Sequence, residues 1–120
     1  MIANARILIV EDEPIVAMCL EDMLSELGHA TVGPASRVAD GLALLDSGPD
    51  AAILDINLSG ERSDAIAHAL AARGVPLVFA TGYGTAPEGF GPDTPLLEKP
   101  YRIEQLRSAL AAIGIGQAPT

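Results

Sequence analysis

Glu11, Asp12, Asp55, Asn57, Thr81 and Lys99 are the side chains of this sequence whose chemistry would be useful if they met. Carboxylates brought close together repel and raise one another's pKa. A hard divalent cation removes that cost, and Mg2+ takes oxygen ligands octahedrally while keeping some of its waters. Asp12 and Asp55 would give carboxylate oxygens to Mg2+ directly, Glu11 with its longer reach would hold a water of the ion, and the backbone carbonyl of Asn57 would complete the protein's share. Mn2+ could take the same place. A carboxylate oxygen left free beside such an ion is an acceptor for a phosphoryl group. Asp55 is the candidate acceptor, Lys99 would pair with a phosphoryl oxygen as a point charge, and the Thr81 hydroxyl would donate to another. Gly82 leaves room for the incoming group.

The elements that must position these residues follow from the apolar pattern. Ile7-Leu8-Ile9-Val10, Ala30-Thr31-Val32, Ala51-Ala52-Ile53-Leu54, Leu77-Val78-Phe79-Ala80 and the weaker Pro95-Leu96-Leu97 are short runs that predict five strands. Between them, helical spacing predicts a helix from Pro14 to Gly28 with Ile15, Val16, Met18, Cys19, Met23, Leu24 and Leu27 on one face. It predicts a second helix through Val38, Leu42 and Leu45, a third through Ala65, Ile66, Ala69 and Leu70 ending at Gly74, and a last one through Ile103, Leu106, Leu110 and Ile113. Alternating strands and helices imply an α/β fold, a five-stranded parallel sheet in the order 2-1-3-4-5 with helices on both faces. Every candidate residue then lies at the carboxyl end of a strand, on the edge where open parallel sheets bind ligands. Neighbouring strands are about 4.8 Å apart, so Asp12 and Asp55 should reach one small ion. Asp50, before the third strand, should lie at the opposite edge.

One connection breaks the alternation. From Gly82 to Pro95, seven of fourteen residues are Gly or Pro. Interior Pro costs a helix about 3 kcal/mol and Gly about 1 kcal/mol. The fourth helix is therefore expected to be a stub, disordered or absent, in the most mobile part of the fold.

Composition narrows the function classes. The chain has 120 residues, 49% of them hydrophobic, with 7 basic against 16 acidic side chains and a net charge of −9. One domain over residues 1–120 is expected, with its core at about 6–114 and a frayed tail at 115–120. The charge disfavours nucleic acid as a direct partner. Cys19 is the single cysteine, which excludes an intramolecular disulfide and a cysteine zinc site. No apolar run approaches the ~18 residues of a membrane span, and Met1–Arg6 carries no export signal. A cytoplasmic protein with no membrane partner is expected, monomeric before any modification.

The whole constellation resembles a response-regulator receiver domain of the CheY-like type over roughly residues 6 to 114. The matching elements are Glu11-Asp12, Leu54-Asp55-Ile56-Asn57, Thr81 and Lys99-Pro100-Tyr101. The resemblance implies that Asp55 takes a phosphoryl group from a phosphohistidine on a histidine kinase or phosphotransfer protein, with Mg2+ bound. It also implies a cis Lys99-Pro100 bond. Phe79-Ala80-Thr81-Gly82-Tyr83-Gly84 is similar to the signature of the FAT GUY subgroup of single-domain regulators, whose members often work with HWE-type kinases in stress signalling. Many receivers carry a switch aromatic three residues before the lysine, where this chain has Leu96. Tyr83 is the candidate to take that role or to shield the acyl phosphate from water.

Other readings compete. A haloacid-dehalogenase-type phosphohydrolase also uses an aspartyl phosphate, but its nucleophile follows the first strand with a second aspartate two residues on, and here Pro14 stands two after Asp12. A phosphorylation-independent binding module would have lost the acceptor, a metal residue or the lysine. Glu13 could hold a metal-bound water, but reads first as a helix N-terminal charge. His29 and His68 read as solvated, Met18 and Met23 as core packing, and Cys19 as a buried small hydrophobe. A receiver of this size would signal by protein contact, or by draining phosphoryl groups from a shared kinase.

Overall fold

Three buried central strands and two edge strands make the sheet: β1 (Arg6–Val10), β3 (Ala51–Asp55) and β6 (Leu77–Thr81) in the middle, with β2 (Ala30–Ala35) and the short β7 (Leu96–Glu98) at the edges. The computed structural model describes residues 3–82 and 86–116. All neighbouring strands run parallel in the order β2-β1-β3-β6-β7. That is the expected 2-1-3-4-5 order once a small separate hairpin, β4 (Asn57–Leu58) and β5 (Glu61–Arg62), is set aside. Val10 pairs with Leu54, Leu54 with Phe79 and Phe79 with Leu96, so the carboxyl ends finish nearly level.

Each face of the sheet has its own core. Ile7, Ile9, Ile53 and Val78 pack against α1 (Pro14–Glu26) and α4 (Ile103–Ala112) through Leu20, Leu24, Leu106 and Leu110. Leu8, Val10, Leu54 and Phe79 pack on the other side against α2 (Val38–Leu44) and α3 (Asp64–Ala72). Burial on both faces explains why these strands are continuously apolar rather than alternating. Gly41 lies inside α2 because a Cβ there would fall 2.5 Å from the Cδ1 of Ile66 on α3. The close approach of the two helices outweighs the poor helix propensity of glycine.

Between Thr81 and Leu96 the described residues form no helix, as the Gly and Pro content requires. Phe90 covers the sheet instead. Its ring meets Phe79 edge-on at a centroid distance of 5.1 Å and lies 5.4 Å from the exposed His68 ring. Among the described residues no helix is long and apolar enough to cross a membrane.

Three expectations need correction, and one element was not foreseen. On α1 the buried stripe is Ala17, Leu20 and Leu24, continued by Leu27 just past its end, whereas Ile15, Met18 and Cys19 are exposed. The sheet accepts only a narrow stripe, and the other apolar residues flank it. The core extends past the expected boundaries: Ala5 and Ile115 are both buried, and the Ile115 N–H donates to the Leu110 carbonyl. The hairpin was not anticipated, although Ser59-Gly60 is a turn dipeptide. Finally, His29 is buried, not solvated. Its Nδ1 accepts a hydrogen bond from the Ala5 N–H at 3.0 Å.

Burial lowers the His29 pKa below its ordinary 6.5, against a smaller opposing effect of the Gly116 backbone. The unfolded chain therefore binds a proton that the folded chain refuses, and stability falls as pH drops below 6.5. Urea unfolding from about pH 7.5 to about pH 5.5 should show the wild type losing stability relative to His29→Asn, which keeps an acceptor but does not titrate. Parallel losses in the two proteins would rule this out.

Candidate functional site

The carboxyl ends of β1, β3, β6 and β7 deliver the candidate residues to one edge. Asp55 and Thr81 are the last residues of their strands, rather than lying just beyond them. Glu11 and Asp12 follow β1, and Lys99 follows β7 with its N–H donating to the Thr81 carbonyl at 2.8 Å. The Lys99–Pro100 peptide is cis, as is Gly33–Pro34, which had not been anticipated. Asp50 lies at the far edge, where its carboxylate accepts the Arg6 N–H.

Glu11, Asp12 and Asp55 each offer a carboxylate oxygen, and these three atoms lie within 4.8 Å of one another. The Lys99 ammonium stands against them, 2.5 Å from Glu11 Oε1 and 2.8 Å from Asp55 Oδ2. Glu13 is exposed, with an oxygen 4.0 Å from the same nitrogen. The Asn57 N–H donates to Asp55 Oδ1 at 3.1 Å. Asp12, Asp55, Asn57, Thr81 and Lys99 line a cavity of about 240 Å³. Every expected site residue among the described ones is therefore brought together. Tyr83 lies outside the described residues.

Electrostatics at this edge follow from crowding. Burial, and next hydrogen bonding with Asp55, push the Glu11 carboxyl up to about 7 against the pull of Lys99. For Lys99, burial alone would lower the pKa, but the hydrogen bonds and charges of Asp55 and Glu11 raise it above the ordinary lysine value. Burial would raise Asp12, yet hydrogen bonds from the Ser59 hydroxyl and from its own backbone hold it below the usual carboxylate value. Three acidic groups against one ammonium leave an excess negative charge that a divalent ion would balance. The oxygen donor set is the one Mg2+ prefers.

Two serines were missed by sequence reasoning. Ser63, fully buried at the start of α3, donates to the Asp55 backbone carbonyl at 2.6 Å and so fixes the end of β3. Ser-Asp before an apolar helix reads as a helix cap, and nothing local reveals that the hydroxyl turns back to Asp55. Ser59, in the β4–β5 turn, donates to Asp12 Oδ2. The Ser59-Gly60 turn was detectable; its placement over Asp12, 47 residues away, was not.

A mixed site of this kind on a doubly wound sheet defines a class. The response regulator receiver domain profile matches residues 7–111, and the chain belongs to that family. Its relatives include the phyllosphere-induced regulator PhyR of Methylorubrum extorquens, 36% identical over 89 residues, a match covering 71% of this chain and 32% of that protein. The chain thus spans about a third of that regulator's length. The solution structure of SdrG from Sphingomonas melonis Fr1 is similar end to end, with 49% identity, a TM-score of 0.83 and coverage of 94% of this chain and 98% of that one. The BeF3-activated conformation of SdrG from Pseudomonas melonis Fr1 superposes with a TM-score of 0.73 at 47% identity, covering the same shares of the two chains. Family membership sets aside the haloacid-dehalogenase alternative.

The ion pairs predict a stability effect. Lys99→Met leaves two buried carboxylates facing each other and should cost about 3 kcal/mol at about pH 8. The loss should shrink at about pH 6, where Glu11 carries a proton. Denaturant unfolding of both proteins checks this, and an equal loss at the two pH values would contradict it.

Proposed function

We propose that the chain is the phosphoacceptor module of a two-component system or phosphorelay, with Asp55 as the residue that carries the phosphoryl group. The observation that carries this reading is a buried Asp55 carboxylate at a strand end, with the Lys99 ammonium 2.8 Å away and two further carboxylates within 4.8 Å. Asp12, Asp55 and the Asn57 backbone carbonyl would hold Mg2+, with Glu11 on one of its waters. When bound, the ion neutralises charge on the transferring phosphoryl group. A carboxylate oxygen of Asp55 attacks phosphorus in line, and the P–N bond to the donor imidazole breaks. Lys99 gives up its contact with Asp55 Oδ2 and follows the charge onto a phosphoryl oxygen. The Thr81 hydroxyl donates to a second one. The Asn57 N–H holds Asp55 Oδ1 and orients the carboxylate.

The donor in this reading is a phosphohistidine on a histidine kinase or phosphotransfer protein. The Phe79–Gly84 signature supports an HWE-type kinase. Charging Asp55 draws Thr81 inward and shifts the segment that follows it, a local charge event biasing a two-state element. Output runs through contact with another protein, or through removal of phosphoryl groups from a shared kinase.

With Mg2+ and acetyl phosphate the protein should gain a single phosphoryl group that hydroxylamine removes, read by intact-mass spectrometry. Asp55→Asn and excess chelator should each abolish the gain. Normal labelling of Asp55→Asn would take that residue out of the reaction. Continuous turnover of small phosphate esters would point to a hydrolase instead.

A further inference from the structure

Ser59 stands in a backbone conformation that serine adopts at a cost. Its φ is +44° and that of Gly60 is +94°, the left-handed pair that a two-residue hairpin turn requires. Glycine or asparagine would suit this position better. The side chain found there instead donates its hydroxyl to Asp12 Oδ2, across 47 residues of sequence. We propose that Ser59 is a positioning residue for divalent-cation binding, fixing the Asp12 carboxylate so that its remaining lone pairs face Asp55. The inference rests on the cation-binding reading of the acidic edge and adds to it a residue outside the charged set.

Asp12 needs such a partner. It lies between β1 and α1, in neither a strand nor a helix, and is only partly buried. Asp55, by contrast, is anchored by its strand, by Ser63 on its carbonyl and by the Asn57 N–H on its carboxylate. The hairpin that carries Ser59 is itself held. Glu61 on β5 accepts the Val38 N–H at the start of α2 at 3.3 Å and faces the Arg37 guanidinium at 3.9 Å. A carboxylate has lone pairs enough for both a hydroxyl donor and a cation. Groups that hydrogen-bond to a metal-binding carboxylate orient it, and their loss commonly weakens metal binding about 10–100-fold.

The turn allows metal affinity and fold stability to be separated. Glycine is at ease at positive φ, so Ser59→Gly should keep or raise the unfolding midpoint while weakening Mg2+ binding about tenfold or more, measured by calorimetric titration with MgCl2 alone. Threonine is β-branched and strained there, so Ser59→Thr should lower the midpoint yet restore the affinity, because the hydroxyl is kept. Unchanged affinity in Ser59→Gly would overturn the proposal. So would an affinity that tracks stability across the two variants, since that is what a purely structural role would give. If the wild type itself takes up no Mg2+, the cation reading of the whole edge fails, and that result is separate from either outcome for Ser59.

Discussion

One ammonium group holds together carboxylates that would otherwise drive each other apart. Two full negative charges at the 4.8 Å limit found here repel by roughly 3 kcal/mol at an effective dielectric of about 20. Lys99 offsets this by bridging Glu11 and Asp55, and Glu11 relieves the rest by holding its proton up to about 7. Such an edge is poised rather than satisfied. It has more acid than one lysine can neutralise, so it favours any arrival that brings positive charge. In the proposed function the lysine would also be the counter-charge for a phosphoryl group built on Asp55.

The sheet exists in the form that lets this happen. Parallel strands with level carboxyl ends put residues from β1, β3, β6 and β7 within a few ångströms of one another, although they are spread over nearly ninety positions of the chain. Burial on both faces fixes the strands from the two cores, leaving their ends free for polar groups. Ser63 then ties β3 to the start of α3, and the β4–β5 hairpin carries Ser59 over Asp12. Small backbone devices thus refine a geometry that the large hydrophobic contacts set coarsely.

Strand order and the convergence of Glu11, Asp12, Asp55, Thr81 and Lys99 were legible in the sequence, because buried parallel strands read as apolar runs and each run ends at a chemically distinctive residue. That the described residues between Thr81 and Leu96 form no helix was legible for a different reason: glycine and proline disfavour helix locally, whatever the tertiary context. What could not be read was orientation across long sequence separations. The outward turn of Ile15, Met18 and Cys19 depends on how narrow a stripe the sheet accepts from α1. The burial of His29 depends on Ala5, 24 residues earlier. The hydroxyl contacts of Ser59 and Ser63 depend on a short hairpin whose strands have only two residues each, too few for periodicity to show.

In the proposed function Lys99 exchanges one anionic partner for another. A structure determined with Mg2+ and beryllofluoride, a mimic of the phosphoryl group, tests this most directly. Beryllofluoride should sit on Asp55, with the metal shared by the Asp12 and Asp55 carboxylates and the Lys99 nitrogen moved from the Asp55 carboxylate to a fluorine. Lys99 still bridging Glu11 and Asp55, with the beryllofluoride bound elsewhere or absent, would contradict it.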